Sequence, residues 1–529
     1  MSRVISSLRS VRPKSKPINN YFFTSRYHQV SLLSSIGILF VLTVYLWFSS
    51  FGLFSHLPTI TAYYDKLATA FSHGSLSLEE QPDPALLALK NPFFRSEWVG
   101  LDVPTDYSLY NGKYYLYFGP VPAVFLTITK FLGFGTKGDQ YPAFGFICGV
   151  FVIQSLLLIG IWKRYFPNIP TWLVPLGIIF LGLISPFPWI LTRARFYEAA
   201  SAGGQFFFLL GLYLFLIGQT EGNISKARLL LGGASWALAM GSRPTQILPI
   251  GITILILLLL EYGNYLHHRQ LSRSIYPFIL MFIPFAIGMS ILGWYNWARF
   301  DSVFETGFYY ELAGPNIQGF YKELFSPVYV LSNLYNYLLN KPILIEQFPL
   351  LSSAEGIGKS VFSFISLPSI YYTGKLTGML YSTPFVLFAT VLLIPRKKES
   401  NNNSFKNMDT FKWAVFLLLG IFLAEFLPLV SYFWVATRFF AEFMPPLVLL
   451  SMMGFWKGYE LLKNKPVWRS FYLILGISLM IISIVVGVSL GLAEHWEAFK
   501  EFNPALWKAM YKDFNPLFWK QLYSILSPK

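Results

Sequence analysis

Ser31–Phe54, SLLSSIGILFVLTVYLWFSSFGLF, decides the fold. The run holds no charged side chain and is long enough to cross the roughly 30 Å hydrocarbon core of a bilayer. A basic arm precedes it, with Arg3, Arg9, Arg12, Lys14, Lys16 and Arg26. Positive charge beside an apolar run stays in the cytoplasm. A cleaved signal peptide has a shorter apolar core and a small-residue cleavage site. Ser55-His56-Leu57-Pro58 is no such site. The run reads as an uncleaved anchor with its arm inside.

The rest of the chain repeats the pattern. Of 529 residues, 54% are hydrophobic and only 13% charged, and mean hydropathy is +0.49. Soluble proteins carry about 25% charged residues. Aromatics reach 19%, as suits a chain with long membrane interfaces. The net charge of +15 sits mostly in short loops between apolar runs, where it sets topology, so nucleic acid is not an expected partner. Cys148 is the single cysteine, which excludes an intrachain disulfide and a cysteine metal site.

Further apolar runs lie at about 141–162, 171–191, 200–218, 229–241, 245–262, 275–295, 376–394, 413–433, 440–456 and 469–491. The expected fold class is an all-α polytopic membrane protein of about 11 transmembrane helices, N-in and C-out. Val121–Phe134 is short and contains Lys130, so it reads as a surface helix. The cytoplasmic segments then hold 21 Lys and Arg in about 91 residues, against 20 in about 220 outside, the direction the positive-inside rule requires. Runs 229–241 and 245–262 form either a tight hairpin with Arg243 at its tip or one kinked helix. The organisation expected is a cytoplasmic arm at 1–30, a transmembrane domain at 31–491 with large outer loops 55–140 and 296–375 bearing surface helices, and an outer tail at 492–529.

The tail repeats itself: Phe502-Asn503-Pro504 with Trp507, Lys508 and Tyr511, then Phe514-Asn515-Pro516 with Trp519, Lys520 and Tyr523. Asn caps a helix and Pro suits its first turn, so each copy should start a short helix lying in the interface. There is no Walker loop, no dinucleotide glycine fingerprint and no His-Glu-x-x-His. An energy source for chemistry should therefore arrive in the membrane.

Charged residues cluster at the outer ends of spans. Asp65 follows the first helix, Asp106 opens Asp106-Tyr107-Ser108-Leu109-Tyr110-Asn111-Gly112, Glu198 sits between spans three and four, and Arg243 is at the hairpin tip. Arg438 and Glu442 flank spans nine and ten. Each alone reads equally as an interface charge, and Arg438 with Glu442, four apart, also as a helix salt bridge. Together they suit one outer cleft. A carboxylate there serves as general base, and arginines grip a lipid phosphate.

On these residues the sequence resembles the GT-C-fold glycosyltransferases, the broad class that includes bacterial aminoarabinose transferases and protein O-mannosyltransferases. The resemblance rests on short motifs: an outer loop with an acid after helix one, Tyr114-Tyr115 before a Pro-rich surface helix, Arg195-Phe196-Tyr197-Glu198-Ala199, the hairpin ending at Arg243, Tyr295-Asn296-Trp297-Ala298-Arg299, and Arg438-Phe439-Phe440-Ala441-Glu442. It implies transfer of a sugar, with inversion, from a polyprenyl-phosphate donor to an envelope acceptor at the outer face of a bacterial cytoplasmic (inner) membrane, among membrane lipids. It implies Asp65 as base, Asp106 and Glu198 as second carboxylates, and Arg243 and Arg438 on the donor phosphate. Arg195, Tyr197, Arg299 and Glu442 are further candidates. A divalent cation stays open as cofactor, with no metal ligands assigned. Many members carry an acidic pair after helix one, whereas Tyr64-Asp65-Lys66 has a single acid, so Asp106 is a rival base. Two other readings stand beside this one. A lipid or glycan transporter is favoured by Glu425 in the ninth span, since an intramembrane carboxylate is a functional candidate. A noncatalytic scaffold of an envelope assembly complex would tolerate loss of both Asp65 and Asp106.

Overall fold

The computed structural model describes residues 17–135, 137–220, 225–268, 271–361, 365–395, 402–494, 496–513 and 517–526. Most of the basic arm, the Arg396-Lys397-Lys398 cluster and the second Asn-Pro step of the tail lie outside them.

Eight helices among the described residues are long and apolar enough to cross a membrane. They lie in α1 (Pro17–Ser49), α4 (Gln140–Tyr165), α7 (Phe196–Thr220), α9 (Ile247–His268), α10 (Leu271–Phe300), α12 (Asn402–Val430), α13 (Phe440–Leu461) and α14 (Pro466–Ala493). The chain is an all-α polytopic membrane protein. The remaining expected spans are shorter or broken. Run 229–241 is α8 (Lys226–Ser242). Run 171–191 divides into α5 (Leu173–Leu183) and α6 (Phe187–Thr192), parted around Pro186, which has no backbone N–H to continue a ladder. Run 376–394 becomes a 3-10 helix, Pro384–Leu393, behind a single α-turn. Its last carbonyls, at Leu392 and Ile394, are capped by the ammonium of buried Lys457.

Helix α13 is the hub. Every residue from Phe440 to Tyr459 is buried, with α12 and the 3-10 helix packed along it. Helix α8 packs on α7 and α10, while α9 packs on α12. The chain therefore turns at Arg243, but its two flanks go to different neighbours rather than pairing as a tight hairpin.

The segments 55–140 and 296–375 meet on one side of this bundle. In loop 55–140, α2 (Tyr63–Ser72) packs on the surface helix α3 (Val121–Phe131). At 11 residues, α3 spans only about 17 Å and is too short to cross. Strands β1 (Ser108–Tyr110) and β2 (Lys113–Tyr115) pair antiparallel across Asn111-Gly112. Both turn residues have positive φ, +47 and +68, as a two-residue hairpin loop requires. These elements share a small core of their own, including Tyr64, Leu67, Tyr107, Tyr114, Phe118 and Leu312. Loop 296–375, which carries α11 (Val330–Leu339), joins it through Leu312 and reaches the α12–α13 connection, where Tyr372–Thr373 pairs in parallel with Trp434–Val435. The tail docks on the C-terminal end of α1: Asn503 donates to the Phe51 carbonyl at 2.9 Å, and Phe51 meets the rings of Phe499 and Phe502. Asn503 also accepts from the Leu506 amide at 3.1 Å, so the first Asn-Pro step caps a helix, Pro504–Asp513, as its sequence predicts.

Candidate functional site

Asp106 enters the β1–β2 hairpin with φ at +66, a left-handed conformation that costs about 1 kcal/mol or more for a residue with a side chain. Two backbone bonds hold it there. The Asp106 amide donates to the Leu312 carbonyl at 2.9 Å, and the Leu312 amide to the Tyr107 carbonyl at 2.7 Å. This stitch between the outer loops sets Glu311 beside Asp106. Nothing in the local sequence of Tyr309-Tyr310-Glu311 marks that acid, because its partner lies on the other loop.

The two carboxyl groups divide their protonation. Burial pushes Asp106 above the ordinary carboxylate range, opposed by the Tyr197 hydroxyl, the Arg438 charge and a hydrogen bond from Glu311. Burial pushes Glu311 up much further, and the Asp106 charge adds to it. Two like charges at close range do not both ionise. Burial and the neighbouring carboxyl thus favour the protonated form at Glu311.

Tyr197 links this pair to the arginines. Its hydroxyl donates to Asp106, and its ring lies 4.0 Å from the Arg438 guanidinium. Trp434 flanks the same guanidinium at 4.2 Å. Arg438 is only 8% exposed, and its side chain makes no ion pair or hydrogen bond among the described residues. A cation held only by aromatic faces has its donors available for an anion. Arg243 differs, since its guanidinium is paired with Glu442 at 2.7 Å.

These groups open onto one cavity of about 740 Å³. Asp106, Tyr117, Tyr197, Arg243, Glu311, Arg438 and Glu442 line it, with Arg95 at an exposed position. Leu248 of α9 and Ala424, Pro428 and Leu429 of α12 give it an apolar wall. Its remaining lining is rich in aromatic rings, among them Phe118, Tyr371, Tyr432 and Phe433.

The structure thus brings Asp106, Tyr197, Arg243, Arg438 and Glu442 together and leaves four candidates outside. Asp65, in the first turn of α2, does not line the cavity. Its carboxylate is taken by Lys130 at 3.0 Å and by the Lys137 amide at 3.1 Å. That pair also accounts for a lysine in the apolar helix α3. Glu198 is buried and turned toward its own helix end, accepting from the Arg195 amide at 3.2 Å, one half of a capping box. Arg195 supplies that amide and is not part of the lining. Arg299, also buried, donates to the Leu116 carbonyl at 2.8 Å and to Asn296 at 3.0 Å, with Tyr295 beneath it, and so anchors the hairpin loop to α10.

The acid that positions α2 is Asp139, which sequence reasoning passed over. It accepts from the Thr61 hydroxyl at 2.7 Å and from the amides of Tyr63 and Tyr64, each at 2.8 Å. Burial outweighs those bonds and pushes its carboxyl up to about 6. A divalent cation does not fit the cavity's donor set. Asp106 and Glu311 are engaged with Tyr197 and with each other, and no group of three or more His, Cys, Asp or Glu side chains converges among the described residues.

No family model matches the chain, and no curated protein matches it. Among solved structures it is similar to the Archaeoglobus fulgidus oligosaccharyltransferase. The apo form aligns over 87% of this chain and 56% of that one, with 11% identity and a TM-score of 0.47. The form tethered by a disulfide bond to an acceptor peptide containing the NVT sequon aligns over 86% and 55%, with 10% identity and a TM-score of 0.42. The chain therefore spans a little over half the length of that protein.

Proposed function

We propose that this chain is a GT-C-type glycosyltransferase. It moves a sugar, with inversion, from a polyprenyl-phosphate carrier to a lipid, glycan or protein acceptor at the outer face of a bacterial cytoplasmic membrane. The observation that carries this reading is that one cavity holds the Asp106 carboxyl, bonded by Tyr197, beside Arg438, whose guanidinium makes no ion pair or hydrogen bond among the described residues.

Each group then has a task. Asp106, rather than Asp65, removes the proton from the acceptor hydroxyl or amine. The freed lone pair attacks the anomeric carbon from the face opposite the phosphate. The bond between that carbon and the phosphate oxygen breaks, and Arg438 stabilises the charge left on the phosphate. Arg243 reinforces it from within its Glu442 pair. Tyr197 holds Asp106 and Arg438 in register, and Glu311 keeps a neutral acid beside the base. The apolar wall on α9 and α12 suits the prenyl chain. Residues 31–491 form the catalytic unit, and the tail at 492–529 rests in the outer interface.

Transfer assayed with purified protein in liposomes tests this. A polyprenyl-phosphate sugar should serve as donor, and a free nucleotide sugar should not. Efficient transfer from a nucleotide sugar with no lipid carrier present would overturn the reading.

A further inference from the structure

The cavity has a second polar region, below the Asp106–Arg438 rim, that the chemistry above leaves unused. Glu425 lies five residues before the outer end of α12, roughly 8 Å in. It lies midway between the centre of its span, Thr410–Val430, and the Val430 end. It is 5% exposed and lines the cavity. Gln205, deeper on α7, donates to one Glu425 oxygen and to the Glu442 carbonyl at 2.9 Å, so it positions the carboxyl. The other Glu425 oxygen meets no hydrogen-bond partner among the described residues. Neither does Oε1 of Gln246, which is 1% exposed and lines the same cavity, nor Nε of Arg243 beside it.

The region is built rather than incidental. Gly204 of α7 lies against Arg243 and Gln246: a Cβ there would come within 2.9 Å of the Arg243 Cβ and 3.1 Å of the Gln246 Cγ. Only glycine lets the 243–246 corner seat so close to α7. Burying a carboxyl oxygen, an amide oxygen and a guanidinium N–H without partners is costly, so a ligand that satisfies them gains affinity.

The unmatched set combines acceptors with a donor. A phosphate would satisfy the donor and be repelled by Glu425 and Glu442. An ammonium would satisfy the acceptors and face Arg243. A hydroxyl does both. We infer that this floor is a subsite for vicinal sugar hydroxyls, which reads the transferred sugar while Arg438 holds its phosphate. The inference rests on the transferase reading and adds to it where the sugar is recognised and by which side chains.

Binding measured on purified protein separates the two. The probes are bare polyprenyl phosphate and a panel of polyprenyl-phosphate hexoses, pentoses and N-acetylhexosamines. Wild type should bind at least one sugar-bearing probe about tenfold tighter than the bare carrier. Glu425→Leu and Gln246→Leu, on different helices, should each remove most of that difference while leaving bare-carrier affinity within about twofold. Retained bare-carrier binding also reports that each variant is folded, and Glu425→Gln, which keeps the shape and a polar contact with Gln205, should lose less. If the sugar adds nothing to wild-type affinity, or if both leucine variants weaken all probes alike, the floor holds water or serves packing and the inference is wrong. If wild type binds neither bare nor sugar-bearing carrier, the transferase reading itself falls and takes the subsite with it.

Discussion

The hydroxyl of Tyr197, in the first turn of α7, donates to the carboxylate of Asp106, 91 residues earlier in the chain, while the same tyrosine ring packs on the Arg438 guanidinium. One side chain thus joins the candidate base to the candidate phosphate ligand. A hydrogen bond to the charged form of a carboxyl lowers its pKa. Tyr197→Phe removes that bond and keeps the ring. The Asp106 pKa should then rise, so the acidic limb of the pH–rate profile should move to higher pH. Turnover at neutral pH should fall about tenfold or more, with donor affinity nearly unchanged. A pH profile indistinguishable from wild type would remove Tyr197 from the account.

Glu311 allows a sharper pH test. It holds its proton well above the ordinary carboxylate range and shares that hydrogen with Asp106. As pH rises through the Glu311 pKa, Asp106 loses a donor and gains a like-charged neighbour. The new charge, in the cavity that Arg438 also lines, repels the donor phosphate, so activity should decline on the alkaline side. Glu311→Gln cannot ionise yet still offers an N–H, so it should keep substantial turnover and lose the alkaline limb. Glu311→Leu offers no donor and should shift the acidic limb upward. Identical profiles for the two variants would mean that Glu311 only fills space.

Membrane sidedness is tested without activity. In a Cys148→Ser background, a cysteine at Val99, which is 88% exposed in the first outer loop, should react with an impermeant thiol reagent in right-side-out vesicles. One at Val467, 79% exposed at the start of α14, should react only after permeabilisation. The reverse pattern would invert the topology and put the cavity on the cytoplasmic side.

Much of this molecule is legible in its sequence, and the reasons for the rest are physical. The class is legible because an uncharged run such as Ser31–Phe54 has few alternatives to a membrane helix. Span number is less so, since composition does not say where Pro186 parts a run or where 384–393 tightens into a 3-10 helix. Asp106, Arg243 and Arg438 stand out as charges at outer span ends, and all three line the cavity. Asp65 shows the same signal and does not, because its partner Lys130 arrives from a helix far along the chain. Glu311 carries no local signal at all. Only the backbone bonds between Asp106, Tyr107 and Leu312 bring it to the site.

In the proposed reaction Asp106, not Asp65, is the base. Losing a general base typically costs about a hundred- to ten-thousand-fold in rate. Asp65 instead neutralises Lys130 at the α2–α3 contact, so its loss should lower stability before it lowers chemistry. The most direct measurement is single-turnover sugar transfer by purified Asp106→Asn and Asp65→Asn proteins, with polyprenyl-phosphate-sugar affinity determined on the same samples. Asp106→Asn should bind donor but lose transfer by at least about a hundredfold. Asp65→Asn should turn over within a few-fold of wild type and unfold at lower temperature. Full activity in Asp106→Asn together with a dead, well-folded Asp65→Asn would contradict that assignment.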